Sequence, residues 1–319
     1  MTATEAAPSP FAPLPEWLGI GSEHWDGTVC PDDLKLVSAS SVPKALASPA
    51  LERWAITRTV EEIAARLPQF TALVAQDVEA AVKWADQLRY QPDAGAELNA
   101  ADSGTLMHSL LEAWLKGEAV AAHDVEQVNR DPVLTAMATN LWTWYCRFQP
   151  EPVAMEQVVY WPEAGIAGRF DAIVRFAKAP EMGNVLLDLK NTREGRYKGG
   201  GLKRVYGDSH ALQLASYRYA THVATFEPRL LVTQRKTSTR TYLVNPRELD
   251  ACAPMHQVDT TAIVQNTPER CALYPIDTGP NVRRRVLEAV GMHRWVHEES
   301  ADVVGQPYTP PIDLPTLTA

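Results

Sequence analysis

The stretch NVLLDLKNT (residues 184–192) constrains the fold more tightly than any other part of this chain. Successive side chains of an extended segment alternate, so Val185, Leu187 and Leu189 share one side while Asp188 and Lys190 share the other. The first side demands a core. The second carries a carboxylate and an ammonium two positions apart, and a fold that buries the strand must account for both.

A second alternating run precedes it. In GRFDAIVRF, Phe170, Ala172, Val174 and Phe176 fall on one face, and Arg169, Asp171, Ile173 and Arg175 on the other. The short KAPEMGN connection between the runs predicts an antiparallel hairpin, which sets Asp171 close to Asp188. Two neighbouring carboxylates repel unless a cation lies between them. A hard divalent ion with oxygen ligands, Mg²⁺ or Mn²⁺, suits that place. Lys190 would then offset charge developing on a phosphoryl oxygen and help place an attacking water.

Around these strands the chain divides by texture. Residues 1–16, with Pro8, Pro10, Pro13 and Pro15, and the tail 307–319 read as extended arms on a single domain spanning 17–306. From about 40 to 150 the pattern is helical. It includes DSGTLMHSLLEAWLKG, with Asp102 or Ser103 as expected cap and Gly117 as stop, and DPVLTAMATNLWTWYCRF, with Pro132 in its first turn. From Met155 to about 245 strands dominate, interrupted by one helix, SHALQLASYRYATHVA, and helices are expected again from about 246 to 306. The fold class is α+β, a mixed sheet flanked by helices with a helical N-terminal part.

Composition excludes several classes. The net charge of −9 argues against a protein that coats nucleic acid through bulk positive potential, but not against a local basic groove. No apolar run approaches the roughly 20 residues of a membrane span. MTATEAAPSPF has neither a basic start nor an apolar stretch after it, so a cytoplasmic protein is expected. No G-x-x-x-x-G-K-[ST] occurs, so no ATP-driven motor is expected. Cys30, Cys146, Cys252 and Cys271 are dispersed and do not suggest a disulfide framework; Cys146, inside an apolar helix, reads as packing.

A D-x-K triplet alone usually marks a surface ion pair; its company gives this one weight. GTLMHSLLE, with Gly104, His108 and Glu112, is followed by the strand glutamate Glu156, by GIAGRFDAI with Asp171, by LLDLKNT, and by ALQLASYRYA with Gln213 and Tyr217. In that order these elements resemble the PD-(D/E)XK nucleases, in the branch of the RecB nuclease domain and the CRISPR-associated exonucleases, and the chain is similar to actinobacterial phage exonucleases. The resemblance covers roughly 40–244, with Asn191 where the family more often has Thr or Ser.

The resemblance implies a restriction-endonuclease-like core and a Mg²⁺- or Mn²⁺-dependent deoxyribonuclease, an exonuclease before an endonuclease, acting in phage or bacterial DNA processing or recombination. It implies Asp171, Asp188 and the Leu189 carbonyl as metal ligands, completed by His108, with Lys190 assisting the nucleophile. Glu112 would bind a second metal, directly or through water, or orient His108; Glu156 joins the catalytic set. Gln213 and Tyr217, four apart on a helix, would contact the DNA backbone or order the site. The basic loop REGRYKGGGLKR, with Arg193, Arg196, Lys198, Lys203 and Arg204, would track phosphates or cover substrate without base readout, and RKTSTR (235–240) offers a second phosphate contact. Relatives carrying an iron–sulfur cluster have three cysteines grouped near the C-terminal end; the dispersed cysteines here make such a cluster unexpected. The competing reading is a non-catalytic DNA-end-binding or assembly subunit, against which the intact Asp171, Asp188 and Lys190 stand.

Overall fold

A computed structural model describes residues 37–45, 49–88, 96–193, 200–201, 207–224, 229–235, 238–244, 252–296, 300 and 303. The expected arms, 1–16 and 307–319, lie outside them. The described residues are mixed α+β, with eight α-helices, two five-stranded mixed sheets and a two-stranded ribbon.

The alternation in VLLDLKN is realised as the middle strand of one sheet. In chain order the strands are β1 (Val37–Ser38), β2 (Pro150–Met155), β3 (Val158–Trp161), β4 (Ile166–Arg169), β5 (Ala172–Phe176), β6 (Val185–Asn191), β7 (His222–Ala224), β8 (Arg229–Arg235), β9 (Ser238–Val244), β10 (Cys252–Pro254), β11 (Thr260–Asn266) and β12 (Cys271–Pro275). The first sheet runs β1-β4-β3-β7-β10 and the second β12-β11-β6-β5-β2, while β8 and β9 pair with each other. In the second sheet β6 pairs antiparallel with β5 and parallel with β11.

Three helices precede the strands' partners: α1 (Pro49–Ala65), α2 (Leu67–Gln76) and α3 (Val78–Leu88). Then come α4 (Ala100–Lys116), α5 (Ala122–Arg130), α6 (Pro132–Phe148), α7 (Gly207–Arg218) and α8 (Pro280–Arg294). On one face of the second sheet Val185, Leu187, Leu189, Ala172, Val174, Phe176, Ala262 and Val264 pack against Leu106, Met107 and Leu110 of α4 and Leu134, Met137, Leu141 and Trp144 of α6. On the other, Ile173, Leu186 and Ile263 pack with α7, α8 and the first sheet through Leu214, Tyr217, Val286, Val159 and Trp161. Burying each such aliphatic side chain contributes about 1.5–3 kcal/mol, so this sandwich fixes the register that positions Asp188 and Lys190 on the α7 side.

Several sequence expectations are corrected. The helix expected at 246 falls outside the described residues; from Cys252 to Pro275 the described chain forms β10, β11 and β12 rather than helix, and in that region only α8 is an α-helix among the described residues. The Thr-, Ile- and Val-rich TTAIVQN fits a pleated interior strand better than a helix. Strand structure begins at Pro150, not Met155; β2 tolerates Pro150 and Pro152 because it is an edge strand, with a register shift between Pro152 and Ala154. The helix expected through Ala224 ends at Arg218, and its last residues form β7. GRFDAIVRF is two strands in two sheets rather than one. The cap of α4 is Asn99, whose side chain accepts from the Asp102 amide, one turn before the expected position. Gly117 ends that helix at φ 69, as expected, and Asp131 caps α6 ahead of Pro132.

Gly168 in β4 has a steric reason. A Cβ there would lie 2.7 Å from Cε1 of Tyr217 and 2.8 Å from Cβ of Ala39. Gly168→Ala is expected to destabilise the protein by about 1–3 kcal/mol through overpacking, read as a lower thermal midpoint with the far-ultraviolet spectrum unchanged.

Candidate metal centre

The two chain crossings between the sheets meet at one point. The chain passes from the second sheet to the first between β2 and β3, and back between β4 and β5. The crossings are tied together: the Glu156 amide donates to the Asp171 carbonyl at 2.9 Å and the Phe170 amide to the Gln157 carbonyl at 3.3 Å. Glu156 thus sits between strands rather than opening one, at φ 49, a left-handed conformation that costs a non-glycine residue about 1–2 kcal/mol.

The antiparallel register places Ala172 opposite Leu187, so Asp171 comes next to Asp188 as the hairpin required. The Leu189 amide donates to Asp171 Oδ2 at 2.8 Å. A residue's N–H and C=O face the same neighbouring strand, so the Leu189 carbonyl looks toward Asp171 as well. From α4, His108 Nδ1 reaches 3.5 Å from Asp171 Oδ2. One ligand atom each from His108, Glu156 and Asp171 lies within 4.8 Å of the others. Two carboxylates in this span are donors that a hard divalent ion such as Mg²⁺ or Mn²⁺ accepts, and the imidazole, a donor more usual for transition metals, favours Mn²⁺ of the two.

Electrostatics agree with that donor set. Burial, then the charge of Asp171, pushes the Glu156 carboxyl up to about 7, with Arg169 partly opposing; Arg169 Nε forms an ion pair with Glu156 Oε2 at 2.9 Å. Asp171 is also raised, first by burial and then by Asp188, while His108, the Leu189 amide and Lys190 pull the other way. Positive charge at this point relieves both groups.

Asp188 stands beside the cluster rather than inside it. It is buried, and Lys190 Nζ donates to its Oδ1 at 3.0 Å and lies 2.8 Å from Oδ2 without hydrogen-bond geometry, leaving lone-pair capacity on that buried oxygen. Lys190 Nζ also donates to Gln213 Oε1 at 3.2 Å, and Gln213 Nε2 donates to the Tyr217 hydroxyl at 3.2 Å. Burial, then Asp188, drives the Tyr217 hydroxyl well above its usual range, so it stays a neutral phenol. Of the two roles open to Gln213 and Tyr217, this geometry favours ordering the site: both side chains line up behind Lys190.

Other expected site residues are placed elsewhere. Glu112 pairs with Lys116 at 2.6 Å along α4, raising the lysine's pKa, and does not join the three-ligand cluster. Arg193 is not a surface phosphate contact. Its Nη2 meets Asp131 Oδ2 at 2.5 Å and its Nη1 donates to Ser103 Oγ at 3.2 Å, with only 10% of its side chain exposed. Burial raises the Asp131 carboxyl, but Arg193 and the helix amides outweigh it and hold the group below the usual range. Arg196, Lys198, Lys203 and Arg204 lie outside the described residues. Cys146 is exposed on α6 rather than packed. Sequence reasoning passed over Arg169, although it stands within the G-x-x-D element, and Gln265, the register partner of Lys190 on a strand expected to be helix. Among the described residues no helix is long and apolar enough to cross a membrane. No protein-family model matches the chain, and no curated protein matches it significantly.

Two outcomes are expected. Arg193→Ala leaves Asp131 buried and unpaired, and should cost about 3–5 kcal/mol in denaturant unfolding. The second concerns pH. The folded value of Glu156 lies above its unfolded 4.5, so its contribution to stability is full below 4.5 and is lost as pH rises through about 7. Metal-free protein should therefore lose thermal stability across that window. Mn²⁺ at about 100 times its Kd should restore about 2.7 kcal/mol, with a larger effect above the window than below it, because the ligands must be deprotonated. Calorimetric scans giving the same Mn²⁺ shift on both sides of the window, or none, would count against a cation here.

Proposed function

We propose that this chain is a divalent-metal-dependent deoxyribonuclease with a PD-(D/E)XK-type core, acting as an exonuclease on DNA ends in phage or bacterial DNA processing. The observation that carries the reading is the convergence of His108, Glu156 and Asp171 to within 4.8 Å, next to a buried Asp188–Lys190 pair. The ordered motifs GTLMHSLLE, GRFDAI, LLDLKNT and ALQLASYRYA support it, since they supply these same residues.

A bound Mg²⁺ or Mn²⁺ would supply Lewis acidity toward a phosphodiester oxygen and lower the pKa of a water. The chain's own residues do the rest. Asp171, Glu156 and His108 would hold the ion, with the Leu189 carbonyl and Asp188 Oδ2 completing the oxygen ligands. Asp171 is itself fixed by the Leu189 amide, so the ligand is preorganised. Lys190, held between Asp188 and Gln213, keeps its ammonium at the site without occupying it, ready to stabilise negative charge on the phosphoryl group and to orient the attacking water. Gln213 fixes the lysine and Tyr217 fixes Gln213, so neither needs to touch substrate. Substrate binding would be salt-sensitive backbone binding with little sequence readout.

End-labelled linear DNA and closed circular DNA, each incubated with Mn²⁺ and with chelator, test the proposal. Cleavage should require the metal and should spare the circle. Asp188→Ala and Asp171→Ala should abolish it, Lys190→Ala should lower kcat about 10²–10³-fold, and Gln213→Ala should lower kcat with little change in KM. Metal-dependent cutting of the circle would overturn the exonuclease reading. DNA-end binding without cleavage under either cation would instead fit a non-catalytic subunit.

A further inference from the structure

Two arginine–carboxylate pairs flank the candidate metal centre, and they differ in burial. Arg193 and Asp131 have 10% and 8% of their side chains exposed, so that pair serves the fold. Arg169 and Glu156 are 48% and 28% exposed, although Glu156 is one of the three converging ligand groups. A guanidinium half in solvent gains little stability from one carboxylate. Stability therefore does not explain why a cation stands against a ligand group.

The pair has a fixed partner and a movable one. The Glu156 amide donates to the Asp171 carbonyl, and its backbone, at φ 49, turns the corner between the sheets. The backbone of Arg169 is also held, in β4, with Val158 opposite it and the preceding Gly168 closed in by Tyr217 and Ala39. Beyond that backbone the long arginine side chain keeps its rotational freedom. Its Nε lies 2.9 Å from Glu156 Oε2 and is one edge of a planar fork of five donors.

Glu156 has two claimants. One is the Arg169 guanidinium; the other is the divalent ion that would join it to His108 and Asp171. A carboxylate shared with a dication no longer neutralises the guanidinium, and the two cations repel each other. An anion at the same place relieves both. The non-bridging oxygens of a DNA phosphate accept the paired donors that a guanidinium presents.

We infer that Arg169 is a metal-gated phosphate contact: Glu156 holds it until that carboxylate serves as a metal ligand, and it then donates to a non-bridging oxygen of the scissile phosphodiester. The inference rests on the nuclease reading for its substrate. Arg169 is thereby a catalytic residue, touching the reacting phosphate. Its guanidinium stays protonated, so it stabilises charge developing on the phosphoryl oxygens and transfers no proton. The exchange ties the contact to the loaded site, because DNA arriving earlier finds Arg169 engaged by Glu156.

The test compares the full chain with Arg169→Gln, Arg169→Lys and, as an exposed charge control on α8, Arg284→Gln. In calorimetric titration with Mn²⁺, without DNA, Arg169→Gln should bind the ion about 2- to 5-fold more tightly than the parent, because a competitor for Glu156 is gone. In saturating Mn²⁺ the same variant should cleave linear DNA with kcat about 10²-fold lower and KM little changed. Arg169→Lys should bind Mn²⁺ as the parent does and lose only about 10-fold in kcat. In chelator, anisotropy of labelled duplex DNA should place every variant within about 2-fold of the parent's affinity. Arg284→Gln should match the parent throughout. Weaker or unchanged Mn²⁺ binding by Arg169→Gln overturns the gate. An unchanged kcat overturns the phosphate contact while leaving the nuclease reading intact. A clear loss of DNA affinity in chelator overturns the gating, since the contact then needs no ion. A parent that binds Mn²⁺ but cleaves no DNA overturns the nuclease reading and the phosphate contact with it, and the Mn²⁺ titrations still decide whether Arg169 competes for Glu156.

Discussion

The meeting of Asp171 and Asp188 across the β5–β6 pair is the constraint to which the rest of the molecule answers. Two carboxylates about 4 Å apart at an effective dielectric near 20 would repel by about 4 kcal/mol, a large share of a domain's net stability. The chain counters this with three positively polarised neighbours, the Leu189 amide, the Lys190 ammonium and the His108 imidazole. Each comes from a different requirement of the fold. The amide comes from the register, the lysine from alternation along β6, and the histidine from the helix that covers the strand's apolar face. Burial first, and then the neighbouring negative charge that these groups do not neutralise, leaves the Asp171 and Glu156 carboxyls raised, the condition that makes a cation welcome.

Placement at the double crossing explains why strain gathers there. Regular strands cannot carry the chain from one sheet to the other, and both passages occur within hydrogen-bonding distance of each other. The left-handed backbone of Glu156 turns that corner and delivers a carboxylate to the same spot. A glycine would turn it at lower conformational cost. That a glutamate stands there instead fits a position retained for its side chain, and Arg169, one strand across, holds the carboxylate in place. The packed surroundings, with Gly168 leaving room for the Tyr217 ring, are what hold the strain in place.

What was legible in the sequence follows from which interactions are local. The alternation of β5 and β6 and the short connection place Asp171 beside Asp188, as the register has them; the imidazole of His108 rested on the motif resemblance rather than on spacing, and it lies 3.5 Å from Asp171 Oδ2. The sheet crossing was not legible, because GRFDAIVRF keeps an unbroken period of two while Phe170 and Ala172 go to different cores. β11 was missed because a short apolar run carries no sign of a partner seventy-five residues upstream, and its parallel pairing with β6 is wholly non-local. Arg193 was misread for the same reason: a positive charge beside a strand expected to be catalytic suggests a phosphate, and only the fold reveals Asp131 across the helix end. Local patterns located the charges; long-range packing decided which were already spoken for.

That distinction bears on how an acidic protein, if it is the proposed nuclease, would handle a polyanion. Arg193 is consumed in holding α6 to the end of β6, Arg169 is engaged by Glu156, and Lys190 by Asp188 and Gln213. Cations nearest the candidate metal centre thus serve its internal electrostatics. On the nuclease reading, affinity for DNA would then come from basic residues remote from the carboxylates. Such an arrangement separates grip from chemistry. On that reading the grip would weaken steeply with salt because it releases counterions, whereas the chemistry, shielded within the sheet junction, would respond to pH and metal instead.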